Sequence, residues 1–466
     1  MNELAVNLDT SSEIPLYEQI YHYIKSEIQK GQIPCHEKLP STRALSRCLE
    51  VSRSTVDLAY EQLISEGYIE AVPCKGYFVL QIDELFQFVK KEVGAAKEPD
   101  IKKQKYEFDF TPSGIDLKSF PYNAWRKLSK DVLLDDQSEM FRLGDSQGEE
   151  GLRSAICSYL HQARGVNCTP DQIIVGAGND YLLMLLSTVL GNHYKIAFEN
   201  PTYKQAYRLF KNLSYDVYTV DMDKSGMEVE KLSEMDIDLA YVMPSHQYPL
   251  GVVMPIKRRM QLLSWASGRE GRYIIEDDYD SEFRYKGKPI PALQGYDANE
   301  KVIYLGTFSR SIAPAIRMSY MVLPQPLLEL YKKKSKFLNT TVSKVDQRIV
   351  QRFLEEGYYE RHLNKTRALY KNRHDTLLNG LKPLAKRCRI SGENAGVHFL
   401  LTFQGRKEEE LIQEALFNGI KVYGLSEYYI DSPPKDQATI LLGYANMTEE
   451  NLQKAAGILN RIWQQP

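Results

Sequence analysis

The 466-residue sequence predicts an α/β chain in two unequal parts, a small helical unit with a β wing and a large body on a mainly parallel sheet. Three observations carry this expectation. Residues 39–79, LPSTRALSRCLEVSRSTVDLAYEQLISEGYIEAVPCKGYFV, hold two helical patterns parted by a turn and followed by a hairpin with a glycine. From Tyr106 onward, strand-length apolar runs alternate with helical patterns. Between them, residues 81–105 are charged and, after Val93, have little apolar periodicity.

The elements follow in chain order. PLYEQIYHYIKSEIQKGQI sets Leu16, Ile20, Ile24 and Ile28 on one helical stripe, with Pro15 at a tolerated early position. A short helix opens at Ser41, and a turn follows over Glu50 to Ser52. A second helix is expected from Arg53 to Glu66. Ser52 caps it, because a serine oxygen accepts from the free amides of a first helical turn. Val56, Ala59, Tyr60, Leu63 and Ile64 share one face, and Gly67 supplies the left-handed stop. A two-stranded wing returns through Lys75 and Gly76.

Capped helices, turn and wing in this order outweigh the alternative of a plain helical hairpin with a solvated basic face. The layout is that of a winged helix-turn-helix, which lays the start of its second helix in the DNA major groove. Ser52, Arg53, Ser54 and Thr55 stand at that start. Arg43 and Arg47 on the preceding helix, with Lys75 and Gly76 in the wing, are expected at the phosphates, which set affinity and register while base edges set specificity. Residues 12–80 resemble the GntR family of bacterial winged-helix regulators, most specifically in LPSTRALS, VSRSTVDLAYEQLISEGYI and GYFV. The expected partner is a double-stranded DNA operator.

Composition frames the rest. The length exceeds one ordinary core. Hydrophobic content of 43% and charged content of 26% suit a soluble globular protein. A formal net charge of -2 leaves no global basic excess, so a nucleic-acid surface must be local. No apolar run approaches a membrane span and MNELAVNLDTSSE lacks a signal-peptide pattern, so a cytoplasmic location is expected. The 6 cysteines are scattered without a C-x-x-C pair, so reduced thiols are expected, with no metal site and no disulfide framework. DELFQFVKKEVGAAKEPDIKKQKYE reads as a short helix and flexible linker, which places the boundaries at 12–80, 81–105 and 106–466.

In the body, QIIVGAG, KIAFENP, LAYVMP, YIIEDD and VIYLGTF are apolar runs without alternation, as in strands buried on both faces. Asn179, Tyr203, Ser245, Asp277 and Thr307 fall just after such runs, where ligands of parallel sheets bind. Gly178 and Asn179 open a helix whose free amides suit an anion. Thr307, Ser309 and Arg317 offer two hydroxyls and a guanidinium, a set suited to phosphate. Asp277 in IIEDDYD follows a buried strand, so its charge needs a partner, and a ring-nitrogen cation would serve.

With LGDSQGEEGLRSAI, SHQYPLGVVMP and GVHFLL, these pieces resemble the class I aminotransferase fold (fold type I) from Phe108 to Trp463, which binds pyridoxal 5′-phosphate (PLP). A GntR unit fused to this body is the architecture of the MocR/GabR family of transcriptional regulators. The resemblance implies that Tyr203 stacks on the pyridine ring, Asp277 holds the ring nitrogen and Tyr279 the phenolic oxygen. It assigns Gly178, Asn179, Thr307, Ser309 and Arg317 to the phosphate, and implies a homodimer. Because EDDYD has adjacent acids, Asp278 remains a second choice for the ring partner.

Two departures stand against the family pattern. Its GTFSK lysine forms a Schiff base with the cofactor, whereas this chain reads GTFSR, with Arg310 at that place. Schiff-base chemistry needs a neutral amine, and arginine stays protonated. In ATILLGYAN, Leu441 stands where aminotransferases carry a substrate-carboxylate arginine. The expectation is a DNA-binding regulator with a non-catalytic body that takes PLP without a covalent bond, another effector, or nothing. The alternative is a PLP-dependent aminotransferase with an accessory DNA-binding domain.

Overall fold

The computed structural model describes residues 6–81 except 13, and residues 106–464 except 136, 137, 286–288, 432, 435 and 436. The expected helix and linker over 82–105 lie outside the described residues. The chain divides into two compact units, Met1–Lys103 and Gln104–Pro466.

In the first unit the apolar stripe of α1 (Leu16–Gln29) buries Ile20, Tyr21, Ile24 and Ile28. Strand β1 (Lys38–Leu39) leads into α2 (Thr42–Cys48), which Ser41 caps by accepting from the Ala44 amide. Glu50 takes a left-handed φ of 53° in the turn to α3 (Arg53–Ser65). Ser52 caps α3 as expected, its Oγ accepting from the Thr55 amide at 3.1 Å. Val56, Ala59, Tyr60 and Leu63 are buried, but Ile64 is 36% exposed. At 100° per residue, Ile64 stands about 80° round from Val56, at the edge of the face that packs on α1. The wing strands β2 (Ile69–Val72) and β3 (Gly76–Val79) pair antiparallel, and β1 adds to β3 as a third strand that the sequence pattern did not reveal. Two residues are too few to show alternation.

The second unit opens with β4 (Phe108–Asp109), α4 (Tyr122–Asp135) and α5 (Glu150–Arg164). Its main sheet holds β5 (Ile173–Gly176), β6 (Lys195–Asn200), β7 (Asp216–Asp223), β8 (Gly226–Met227), β9 (Leu239–Val242), β10 (Tyr273–Asp278), β11 (Val302–Thr307) and β12 (Ser319–Val322). The order is β5-β12-β11-β10-β9-β6-β7-β8. Strands β7, β6, β9, β10 and β11 are parallel, while β12 runs against both neighbours and β8 against β7. All five apolar runs are strands of this sheet. Side-chain alternation divides them between two cores. On β10, Ile275 packs with Phe198, Tyr241 and Ile303 on one face, and Ile274 packs with Ala240, Val242 and Val302 on the other. The first core is closed by α6 (Asn179–Leu190), whose Leu182, Leu183 and Leu186 it buries.

A smaller antiparallel sheet, β13 (Cys388–Ser391), β14 (His398–Gln404), β16 (Tyr423–Gly424) and β17 (Gln437–Gly443), has its own core of Phe399, Leu401, Ile440, Leu442 and Trp463. Between β14 and β16 in sequence, β15 (Ile420–Lys421) pairs parallel with β4. Among the described residues no helix is long and apolar enough to cross a membrane.

Candidate functional site

Two surfaces carry the predicted site residues. On the first unit, Arg43, Arg47, Ser52, Arg53, Ser54 and Lys75 are exposed, and Thr55 and Gly76 are half-buried. The Ser52 hydroxyl lies 2.8 Å from that of Ser54 and 2.7 Å from that of Thr55, so the polar start of α3 is locally ordered. Arg53 is 69% exposed and meets Asp57 at 3.5 Å. An exposed pair of this kind holds little energy, so the guanidinium can leave it for a stronger partner. In the wing turn, Cys74 (φ 61°) and Gly76 (φ 112°) both take left-handed backbone, which lifts Lys75 between them.

On the second unit, a cleft of about 420 Å³ opens at the carboxyl ends of β10 and β11 and the start of α6. Gly178, Asn179, Tyr203, Asp277, Tyr279, Thr307, Ser309, Arg310 and Arg317 all line it, although they span 140 residues of sequence. Of the five residues singled out after apolar runs, Ser245 alone does not line the cleft; its hydroxyl accepts from Arg164 at 2.7 Å.

Gly178 precedes α6 with φ 94°, and a Cβ there would come within 2.5 Å of Arg317 Nη2, so only glycine allows this approach. Arg317 itself takes φ 48° and reaches the Ala177 carbonyl and Asp180, each at 3.3 Å. The Thr307 hydroxyl accepts from the Ser309 amide at 3.1 Å and from Ser319 at 2.8 Å.

Asp277 is 4% exposed at the end of β10. It accepts from the Tyr241 hydroxyl, and from Asn179 Nδ2 at 3.3 Å. Burial pushes its carboxyl up to about 7; the repulsion of Asp278 and Asp280 adds to this, while Tyr241 and Arg310 hold it back. Strand alternation sends Asp278 the other way, to Arg164 at 2.8 Å and Tyr304 at 2.5 Å. Of the two adjacent acids, Asp277 faces the cleft.

Arg310 stands over the Tyr279 ring with its Cζ 5.9 Å from the centroid, and its Nη1 is buried without a hydrogen-bond partner. Asn179 Oδ1 is buried and unpartnered too. Such atoms cost about 1–3 kcal/mol each until something polar meets them. Among the described residues lining the cleft there is no lysine. Lys301 donates to the Arg269 carbonyl and Lys334 to the Val189 carbonyl, both away from the cleft.

Leu441 is fully buried on β17 in an apolar cluster with Leu400 and Leu425. No carboxylate anchor is built there. Leu441→Arg is therefore expected to destabilise the body by about 3–5 kcal/mol, the cost of an uncompensated buried charge. The midpoint of urea unfolding checks this; an unchanged midpoint would mean that the cluster opens to admit the charge.

Sequence reasoning missed a second layer. Tyr279 meets His246 Nδ1 at 3.0 Å, and the same nitrogen lies 2.9 Å from Asp280. Behind them His398 contacts the Pro249 carbonyl at 2.8 Å, and burial pushes its imidazole down to about 4. Tyr203, held up to about 12 mainly by burial, meets Tyr248 edge-on at 6.3 Å. SHQYPLG and GVHFLL carry His246, Tyr248 and His398, but nothing in their spacing ties them to Tyr279.

Comparison with known proteins places both units in known families. The chain matches bacterial regulatory proteins of the gntR family over residues 16–79 and aminotransferase class I and II over residues 115–459. It is similar to kynurenine aminotransferase of Pyrococcus horikoshii, with a TM-score of 0.69 and 25% identity over 78% of this chain and 92% of that one. The class of protein is thus a regulator that joins a GntR-type DNA-binding domain to an aminotransferase-like body. Among full-length relatives, the Bacillus subtilis HTH-type transcriptional regulator YdeL is 38% identical over 98% of both chains. The probable rhizopine catabolism regulatory protein MocR of Rhizobium meliloti is 29% identical over 97% of this chain and 94% of its own. The chain belongs to the MocR/GabR family of transcriptional regulators.

Proposed function

We propose that this regulator binds a specific DNA operator through residues 12–80, and that its body, residues 106–466, takes PLP as a non-covalent ligand and catalyses no transamination. The observation that carries this reading is Arg310 in the cleft with no lysine beside it among the described residues. A guanidinium keeps its proton at working pH and so cannot supply the neutral amine that a Schiff base with the aldehyde needs.

The cleft residues fit PLP. A buried carboxyl held near 7, as Asp277 is, gains from a ring-nitrogen proton. The α6 amides at Gly178 and Asn179, with Thr307, Ser309 and Arg317, suit the phosphate, and Tyr203 suits a face of the ring. Tyr279 is placed for the phenolic oxygen, and Arg310 supplies a fixed cation to the same ligand. Bound PLP would supply an aldehyde and an electron-withdrawing ring, but with no lysine to receive it the group acts as a signal. A homodimer in the cytoplasm completes the proposal. The homodimer is supported by Leu117, Leu134, Phe141 and Leu143, which are 60%, 63%, 75% and 81% exposed.

Operator binding measured with and without PLP, alongside an amino-transfer assay, tests the whole reading. The expected result is a PLP-dependent change in DNA affinity with no amino transfer; transamination by the native chain would overturn it. For the DNA half, Arg53→Ala is expected to cost about 1–3 kcal/mol and to relax specificity, as for a base-contacting arginine. Lys75→Ala should weaken all sequences alike and flatten the salt dependence. Anisotropy titrations on cognate and scrambled duplexes separate the two; full cognate affinity in Arg53→Ala would remove Arg53 from the base contacts.

A further inference from the structure

Outside the cleft, three soft or borderline ligand atoms converge at the end of α5. Cys157 and His161 are four residues apart on this helix, so they share one face. The helix ends at Gly165 in a left-handed cap (φ 63°), and the chain turns back so that Cys168 reaches the same spot. Cys157 Sγ lies 3.9 Å from Cys168 Sγ and 3.8 Å from His161 Nε2, and all three ligand atoms lie within 4.8 Å of one another. Both cysteines are buried and His161 is exposed.

We propose that Cys157, His161 and Cys168 form a binding site for one thiophilic divalent cation, zinc by preference, with a solvent molecule as fourth ligand. The spacing fits the ion. Tetrahedral zinc with bonds of about 2.3 Å to sulfur and about 2.0–2.1 Å to nitrogen places its ligand atoms roughly 3.5–3.8 Å apart. The sulfur–sulfur edge and one sulfur–nitrogen edge are already within a few tenths of an ångström of this. A disulfide fits less well: the sulfurs would have to close from 3.9 Å to about 2.05 Å, and His161 would have no part in it. The exposed imidazole leaves the fourth position open to water.

Binding requires local changes that balance. The two thiol protons leave to solvent. Nε2, which lies 2.8 Å from the Cys168 carbonyl oxygen, gives up that contact and carries its proton on Nδ1 instead. The ion then ties the last turn of α5 to the loop behind it. That loop is fixed to the body by reciprocal bonds between Asn167 and Gln294, at 2.7 and 2.8 Å. Three residues from His161, Arg164 holds Asp278, the neighbour of Asp277. The site therefore stiffens the scaffold behind β10 without entering the cleft.

The test uses the full chain, reduced, stripped with a chelator and titrated with cobalt(II), whose spectrum reports thiolate ligands. The expected result is a thiolate-to-cobalt charge-transfer band saturating at one equivalent per chain and discharged by zinc. Cys157→Ser and Cys168→Ser abolish the band, His161→Ala weakens binding at least tenfold, and Cys388→Ser leaves it unchanged. His161 is exposed, so its variant reads the site even where a cysteine variant fails to fold. Zinc should also raise the unfolding temperature of the native chain and not that of His161→Ala. Absence of the band, or an unchanged cobalt affinity in His161→Ala, would overturn the proposal; a band that survives in both Cys157→Ser and Cys168→Ser would overturn it too and point to the exposed Cys35, Cys48 or Cys74.

Discussion

Arg310→Lys is expected to convert the body from one that holds PLP reversibly to one that fixes it to a lysine. The native chain should retain no cofactor after borohydride and denaturation, and the variant about one equivalent. The change supplies a lysine, which is absent among the described residues lining the cleft. Arginine and lysine are both cations, but lysine can present a neutral amine when desolvated, and arginine cannot. The cleft already removes water from this position, since Arg310 Nη1 is buried without a partner. The surrounding set of Asp277, Tyr279, Ser309 and Arg317 lines the same cleft. Absorbance on adding PLP, followed by peptide mass mapping, reads the outcome. A colourless variant without PLP affinity would mean that these residues no longer form a cofactor site.

Asp277→Asn is expected to separate ligand binding from stability. Burial raises the folded-state carboxyl to about 7, far above its ordinary value of 3.8. Between those values the folded state binds more protons than the unfolded state, so stability falls as pH rises from about 4 through 7. Below that window the group costs nothing; above it the full penalty of a buried carboxylate is present. Asparagine keeps the shape and most of the hydrogen bonding without the charge. The ligand-free variant should gain about 1–3 kcal/mol over the native protein at pH 8 and nothing near pH 4. PLP affinity should fall at least tenfold, about 1.4 kcal/mol, because the ring-nitrogen cation loses its carboxylate. Denaturant midpoints at both pH values and a PLP titration read the two effects. A variant that gains nothing at pH 8 would mean that Tyr241 and Asn179 already solvate the ionised carboxylate.

Much of this architecture was legible in the residues because each signal had one physical cause. Ser52 announced its helix by capping chemistry, and the cap is made. Five unbroken apolar runs announced five strands because strands buried on both faces need no polar alternation. Other elements stayed hidden. Strand β7, next to the edge strand β8, buries only Val220 fully, and β12 is a four-residue segment that follows GTFSRSIAPAIR after Met318. Ile64 was assigned to the packed face on spacing alone, whereas the limits of that face are set by where α1 ends its contact. In the cleft, position at the end of an apolar run located Asp277 and Thr307, which lie in the last residues of β10 and β11 and not beyond them, but it could not choose between Asp277 and Asp278; the pleat of β10 does that. His246 and Asp280 were invisible because their contact joins two loops 34 residues apart. Cys157, His161 and Cys168 were passed over for a related reason. Their convergence needs the reversal at Gly165, and no short cysteine motif marks it.

The central claim, a cofactor-type cleft used without covalent chemistry, is met most directly by borohydride reduction of the native full-length protein saturated with PLP, followed by intact-mass measurement. The account predicts saturable PLP binding before reduction and an unmodified chain mass after reduction and denaturation. A chain heavier by one reduced phosphopyridoxyl group, mapped to a lysine, would contradict it.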